Sequence, residues 1–101
     1  NPAEEKKAGL LPPSGMAKIF LGNIGDDEAS LTINQKTFKI KPGTGNSKTP
    51  EGPTLDLKPG KYKYTLGLPG KPKKTSEVAV GADEAWGLMV GPGGVLTLQM
   101  Y

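Results

Sequence analysis

ASLTINQKTFKIK, residues 29–41, decides how this chain folds. Leu31 and Ile33 alternate with Thr32 and Asn34, and beyond a tight turn at Asn34–Lys36 the residues Phe38 and Ile40 alternate with Thr37, Lys39 and Lys41. A period of two on both sides of a tight turn makes a β-hairpin with one apolar face, because successive strand side chains point to opposite sides. The outer face of this hairpin is rich in lysine.

The same alternation runs outward in both directions. Upstream, AKIFLGNI (17–24) sets Ala17, Ile19 and Leu21 on one face and Phe20 and Ile24 on the other, which reads as a strand covered on both sides. Downstream come TLDLK, a Pro59-Gly60 turn, then KYKYTLGL with Tyr62, Tyr64, Leu66 and Leu68 inward. After a PGKP turn, TSEVAV turns Val78 and Val80 inward. GADE leads into AWGLMVG, with Trp86, Leu88 and Val90 inward, and GPGG leads into VLTLQMY, with Leu96, Leu98 and Met100 on one face. About eight short strands at roughly 8–12-residue spacing predict a sandwich or barrel. The expectation is an all-β, antiparallel, immunoglobulin-like or prealbumin-like sandwich of seven or eight strands over residues 16–101. Its expected core is Ile19, Leu21, Leu31, Ile33, Phe38, Ile40, Tyr62, Tyr64, Leu66, Val78, Val80, Trp86, Leu88, Val90, Leu96 and Leu98.

Residues 1–15, NPAEEKKAGLLPPSG, have no period of two and are too short for a stable isolated helix. They read as an extended arm with room for one helical turn at Ala3–Lys7 and a polyproline-like segment at Pro12–Pro13. Such an arm becomes ordered when its own domain or a neighbouring copy holds it. Leu10, Leu11, Pro12 and Pro13 are its anchors. With Phe20 and Tyr101, which fall on faces the alternation leaves unassigned, they are the candidate assembly contacts. The last strand is expected at a sheet edge, where unpaired backbone groups are a template for another chain.

Composition narrows the chemistry. The 101 residues contain no cysteine and no histidine, which excludes disulfides, thiolate chemistry and the commonest general base and metal ligand. The net charge is +3. All the basic residues are lysines, hydrated point charges lacking the planar fork that reads phosphates and base edges, so nucleic acid is not an expected partner. No stretch approaches the ~20 apolar residues of a membrane span. The chain opens on Asn1, which suits a processed protein whose leader has been removed.

The motifs that suggest chemistry fail on mechanism. PGTGNSKTP (42–50) looks like a phosphate-binding loop, but its glycine-to-lysine spacing is wrong and Pro50 and Pro53 prevent a helix from starting. Asp26, Asp27 and Glu28 are consecutive and cannot converge on one cation; with Asp83 and Glu84 they read as turns. Asp56, between Leu55 and Leu57, and Glu77 offer no paired carboxylates for hydrolysis. LPPSG (11–15) resembles a sortase signal only locally, since a domain follows it. A Lys–Asn crosslink would need an asparagine on a late strand, and the last two have none. Tyr62, Tyr64 and Trp86 fall on core faces, which argues for packing over sugar stacking.

ASLTINQKTFKI and TPEGPTLDLKPGKYKYTLGLPGKPKKTSEVAV together give the chain a family resemblance. From about residue 29 to 90 it resembles the PEGA-type modules of bacterial surface and envelope proteins. The strand and small turn stand where that family has its A-x-V-x-V-x-G-K opening, followed in order by the P-G-K-Y turn, the later P-G turn and the V-x-V strand. Gln35 stands where the family usually has glycine, and the loop 42–53 is long. The resemblance implies an extracytoplasmic antiparallel sandwich without catalytic residues or cofactor. The expected function is therefore a non-enzymatic structural or interaction module at the cell surface, in the periplasm or outside the cell. It self-associates as a fibre or surface-assembly subunit through its arm and edge strands, its partners being other copies or an envelope protein. The alternative is an accessory domain binding cell-wall polysaccharide or a partner protein.

Overall fold

The computed structural model describes residues 12–45 and 52–100. Eight strands follow one another: β1 (Ala17–Asn23), β2 (Ala29–Ile33), β3 (Lys36–Ile40), β4 (Thr54–Leu57), β5 (Gly60–Gly67), β6 (Lys74–Val80), β7 (Ala85–Gly91) and β8 (Gly94–Gln99). They form two four-stranded sheets, sheet I in the order β4-β1-β7-β8 and sheet II in the order β3-β2-β5-β6. Pairing is antiparallel except between β1 and β7, which run parallel. The chain is thus an all-β sandwich, with no helix among the described residues.

Each sheet buries one face against the other, as the alternation requires. Ile19, Leu21, Leu31, Ile33, Ile40, Tyr64, Leu66, Val78, Val80, Leu88 and Val90 lie in one buried cluster with Ala17, Ala29, Leu55 and Leu57. Phe38, Tyr62 and Trp86 pack against this cluster half-buried. The hydroxyl of Tyr62 donates to the Lys58 carbonyl across the corner where the chain passes from sheet I to sheet II.

Leu96 and Leu98 depart from their expected core positions: they are 59% and 47% exposed. Register is the reason. Residues directly opposite in an antiparallel pair share a face. The fully buried Val90 and Leu88 stand opposite Val95 and Thr97, while Leu96 and Leu98 stand opposite Met89 and Gly87 on the other side. Alternation alone gives β8 one apolar face without saying which way it looks. The Gly91↔Gly94 closure of the hairpin turns it outward.

The β2–β3 hairpin closes on a two-residue turn, Asn34 and Gln35, both left-handed at φ 51° and 66°. Two consecutive positive φ values match the right-handed twist of the flanking strands. On the outer face of sheet II, Thr37, Thr32, Thr65 and Thr75 stand in register across all four strands. Their hydroxyls pair at 2.9 Å (Thr32 with Thr37) and 3.0 Å (Thr65 with Thr75). Ser30, Lys39, Lys61, Lys63 and Glu77 share that face, which is hydrophilic but for the small Ala79.

Asn23 ties the sandwich to its loops. It is fully buried at the end of β1, and its amide nitrogen donates to the carbonyls of Ile40 (2.9 Å) and Asp27 (2.8 Å). Its side-chain oxygen accepts from the Gly25 amide at 2.9 Å. Two carbonyls on one side and an N–H on the other fix the orientation of the side-chain amide. The backbone of Asn23 also exchanges bonds with the loop after β3, its N–H donating to Thr44 and its carbonyl accepting from Gly43.

Candidate functional site

The outer face of sheet I is unlike that of sheet II. β1 sends Lys18, Phe20 and Gly22 outward, β7 sends Ala85, Gly87 and Met89, and β8 sends Leu96 and Leu98, with Met100 just beyond. The register sets Phe20 beside Gly87 and Leu98, and Gly22 beside Met89 and Leu96. Large apolar side chains therefore alternate with bare backbone. Together they form an apolar groove of about 390 Å³ between Phe20, Met89, Leu98 and Met100, closed at one end by Gly45, Gly52 and Pro53.

Two glycines make the groove possible by leaving space for sulfur. A Cβ at Gly22 would lie 2.7 Å from the Met89 sulfur and 3.0 Å from the Thr44 carbonyl oxygen. One at Gly87 would lie 3.2 Å from the Met100 sulfur. The thioethers lie over the strands, soft and free to adapt to whatever meets them. The Lys18 ammonium stands 5.9 Å from the centre of the Phe20 ring and marks the rim.

The edges of the two sheets differ as well. β3 carries Lys36 and Lys39, and β6 carries Lys74 and Glu77. β4 has only four residues, one of them Asp56, and follows Pro53. Charges, proline and short length all discourage pairing with another chain. β8 has none of these guards: GVLTLQ is uncharged. Because the Met100 N–H donates to Ala85 at 2.7 Å, the two-residue alternation turns the N–H groups of Leu98 and Leu96 towards β7 as well. Those of Val95 and Thr97 point away, along a side that pairs with no strand among the described residues.

Of the assembly candidates, Phe20 lines the groove. Pro12 is half-buried and Pro13 exposed, at the entry to β1. Leu10, Leu11 and Tyr101 lie outside the described residues. Sequence reasoning missed Met89, Leu96, Leu98 and the glycine floor. Their signal was an apolar residue on both faces of β1 and β7, noticed only for Phe20 and Ile24.

Among the described residues, Glu84, bonded to Trp86, is the one ionisable group with a displaced titration. Glu84 accepts from the Trp86 indole N–H at 2.9 Å and from the Gly81 N–H at 2.6 Å. The indole bond, then the Gly81 bond, hold its carboxyl below the usual value. Both bonds close the β6–β7 turn, a structural role. No group of three or more acidic side chains among the described residues is arranged to hold a metal ion. The start of the glycine-rich loop, Lys41–Gly45, folds against Asn23, with the Thr44 hydroxyl donating to the Lys41 carbonyl at 2.7 Å. Residues 46–51 lie outside the described chain.

The chain matches no protein-family model, and no curated protein matches it in sequence.

Proposed function

We propose that this chain is a non-catalytic, extracytoplasmic interaction module that self-associates as an assembly subunit, using its N-terminal arm and the edge and outer face of sheet I. The observation that carries this reading is the coincidence of an apolar outer face with an uncharged edge on the same sheet. A sandwich needs only one buried face per sheet, and apolar side chains gathered on the other side mark a contact surface. Sheet II, with a threonine and lysine outer face and guarded edges, has neither feature.

A finer fold reading belongs with this proposal. The two strand orders, the parallel β1–β7 pair and the tyrosine bonded back across the corner at Lys58 support an immunoglobulin-like or prealbumin-like sandwich of the PEGA kind. Modules of that kind act as spacers and contact domains outside the cytoplasm. The alternative, an accessory domain for polysaccharide, draws on Phe20 alone among the described aromatic rings of the outer face, and one ring is a poor sugar platform.

The test is solution mass by light scattering, with negative-stain images, on the whole chain and on a chain lacking residues 1–15. Oligomers or filaments that shrink when the arm is removed support the proposal. Monomers at every concentration, with or without the arm, sink it and direct attention to glycan and wall-fragment binding.

A further inference from the structure

Just before β1 the chain makes a reverse turn. The Met16 N–H donates to the Pro13 carbonyl at 2.9 Å, with Gly15 left-handed at φ 80°, the type II geometry that glycine supplies. This turn is bolted to the β6–β7 corner. The Gly15 N–H donates to the Asp83 carboxylate at 2.9 Å, and the Asp83 N–H donates to the Met16 carbonyl at 2.7 Å. The direction in which residues before Pro13 leave the domain is therefore set by three hydrogen bonds.

A reverse turn points Pro12 back alongside β1, and residues continuing in that direction would run beside that strand. They cannot pair with it, because β1 already has β4 on one side and β7 on the other. The inner face of sheet I is filled by the core. What remains is the outer face, where the groove lies. That face is already covered at the end where the turn sits: Ala85 points the same way as Gly87 and Met89, lies outside the main core cluster, and is fully buried. Pro12 is half-buried there.

We propose that the groove on the outer face of sheet I is the docking site for Leu10 and Leu11 of the same chain. Counting back from the Pro13–Met16 turn at about 3.3 Å per extended residue brings Leu11 level with Lys18 and Leu10 level with Ile19. That is the Phe20 and Met100 end of the groove, where the flexible Met100 thioether lying over Gly87 can shift to admit a side chain. Leu10 and Leu11 are the only large apolar residues before Pro12. The docked arm covers the groove in a single copy, and the self-association proposed above then proceeds by exchanging the same segment between copies. The inference rests on the reading that this face is the contact surface of the module.

The cysteine-free chain permits a direct test. Two double variants, Leu11→Cys with Met100→Cys and Leu10→Cys with Phe20→Cys, are oxidised mildly at low protein concentration. A control pairs Leu11→Cys with Lys39→Cys on the far face of sheet II. Successive side chains of an extended arm point to opposite sides, so disulfides within single chains in at least one of the first two variants, and none in the control, are the expected result. Mixing the single-cysteine variants separates the sources. Disulfides found only between different chains would overturn docking within the chain while leaving self-association standing. No disulfide in either variant would overturn the docking site altogether, and light scattering on the unmodified chain would still report independently on association.

Discussion

Replacing Asn23 by alanine removes three hydrogen bonds from a fully buried position and is expected to cost about 3 kcal/mol. The Ile40 carbonyl, whose bond is buried, loses a donor that water cannot replace, worth about 1.5 kcal/mol. The Asp27 carbonyl and the Gly25 N–H are part-buried and regain some hydration, so each contributes about 0.5–1 kcal/mol. Against a typical total of about 5–15 kcal/mol this is a large fraction. The melting temperature should fall by about 12–24 °C, at roughly 4–8 °C per kcal/mol for a domain of this size. Urea and thermal unfolding, followed by the fluorescence of Trp86 and by far-ultraviolet circular dichroism, measure it. Asn23→Asp sharpens the test. It keeps the acceptor for Gly25 but sets a carboxyl oxygen against the carbonyls of Ile40 and Asp27, so burial and repulsion raise its folded pKa. Its stability is then greatest below the unfolded carboxylate pKa and is lost as pH rises through the folded value. A cost below about 1 kcal/mol for Asn23→Ala, with no pH dependence in Asn23→Asp beyond that of the parent, would refute the account of Asn23 as the joint between sandwich and loops.

Gln35→Gly should stabilise the domain by about 1 kcal/mol in chemical denaturation, since a left-handed non-glycine residue stores about that much strain; a loss of stability would contradict the turn geometry. Gly22→Ala should destabilise more than Gly87→Ala, by about 1–3 kcal/mol against less than about 1, because its methyl meets the Thr44 backbone as well as the mobile sulfur; equal effects would argue against the groove floor. Glu84 has a lowered folded pKa, so its contribution is present above the unfolded carboxylate value and is lost as pH falls through the folded one. Trp86 fluorescence should therefore titrate with a midpoint below that of an ordinary glutamate, and a flat response, or one unchanged in Glu84→Gln, would dismiss the indole bond. Leu96→Lys with Leu98→Lys should change the stability of the monomer by no more than about 1 kcal/mol, as surface substitutions do, while weakening association. Unfolding of the double variant would return those leucines to the core.

What the sequence made legible follows from which signals are local. Period-two alternation and the turn residues between the runs mark the strands, and burial of Leu31, Ile33, Ile40, Leu88 and Val90 follows once a strand has only one apolar face. β8 shows the limit of that logic. Its apolar residues are at Leu96 and Leu98, its less apolar set at Val95, Thr97 and Gln99, and the pattern favours the wrong face. Orientation there was fixed by pairing with β7, a long-range fact that alternation does not contain. Asn23 was illegible for a similar reason. In GNIGDD it reads as a turn asparagine, yet its partners Ile40 and Thr44 lie far along the chain. Gln35 is the converse case. A tight turn between two alternating runs is visible there in the sequence, and the left-handed φ values of 51° at Asn34 and 66° at Gln35 are the local geometry such a turn needs.

The contrast between the two sheets bears on how association can be specific at all. A sandwich has four edges and two outer faces, and any of them can stick to another copy. Lysines on β3 and β6 oppose like charges when copies meet edge to edge, and the brevity of β4 offers too few backbone groups for a lasting ladder. The threonine file on sheet II satisfies its own hydroxyls in pairs and presents a hydrated surface. On the proposed association, contact falls to β8 and the groove beside it, where Leu96 and Leu98 face outward. A partner that pairs with the edge at Val95 and Thr97 must also lie against those leucines. Backbone and apolar recognition are coupled, and a substitution on either should weaken both.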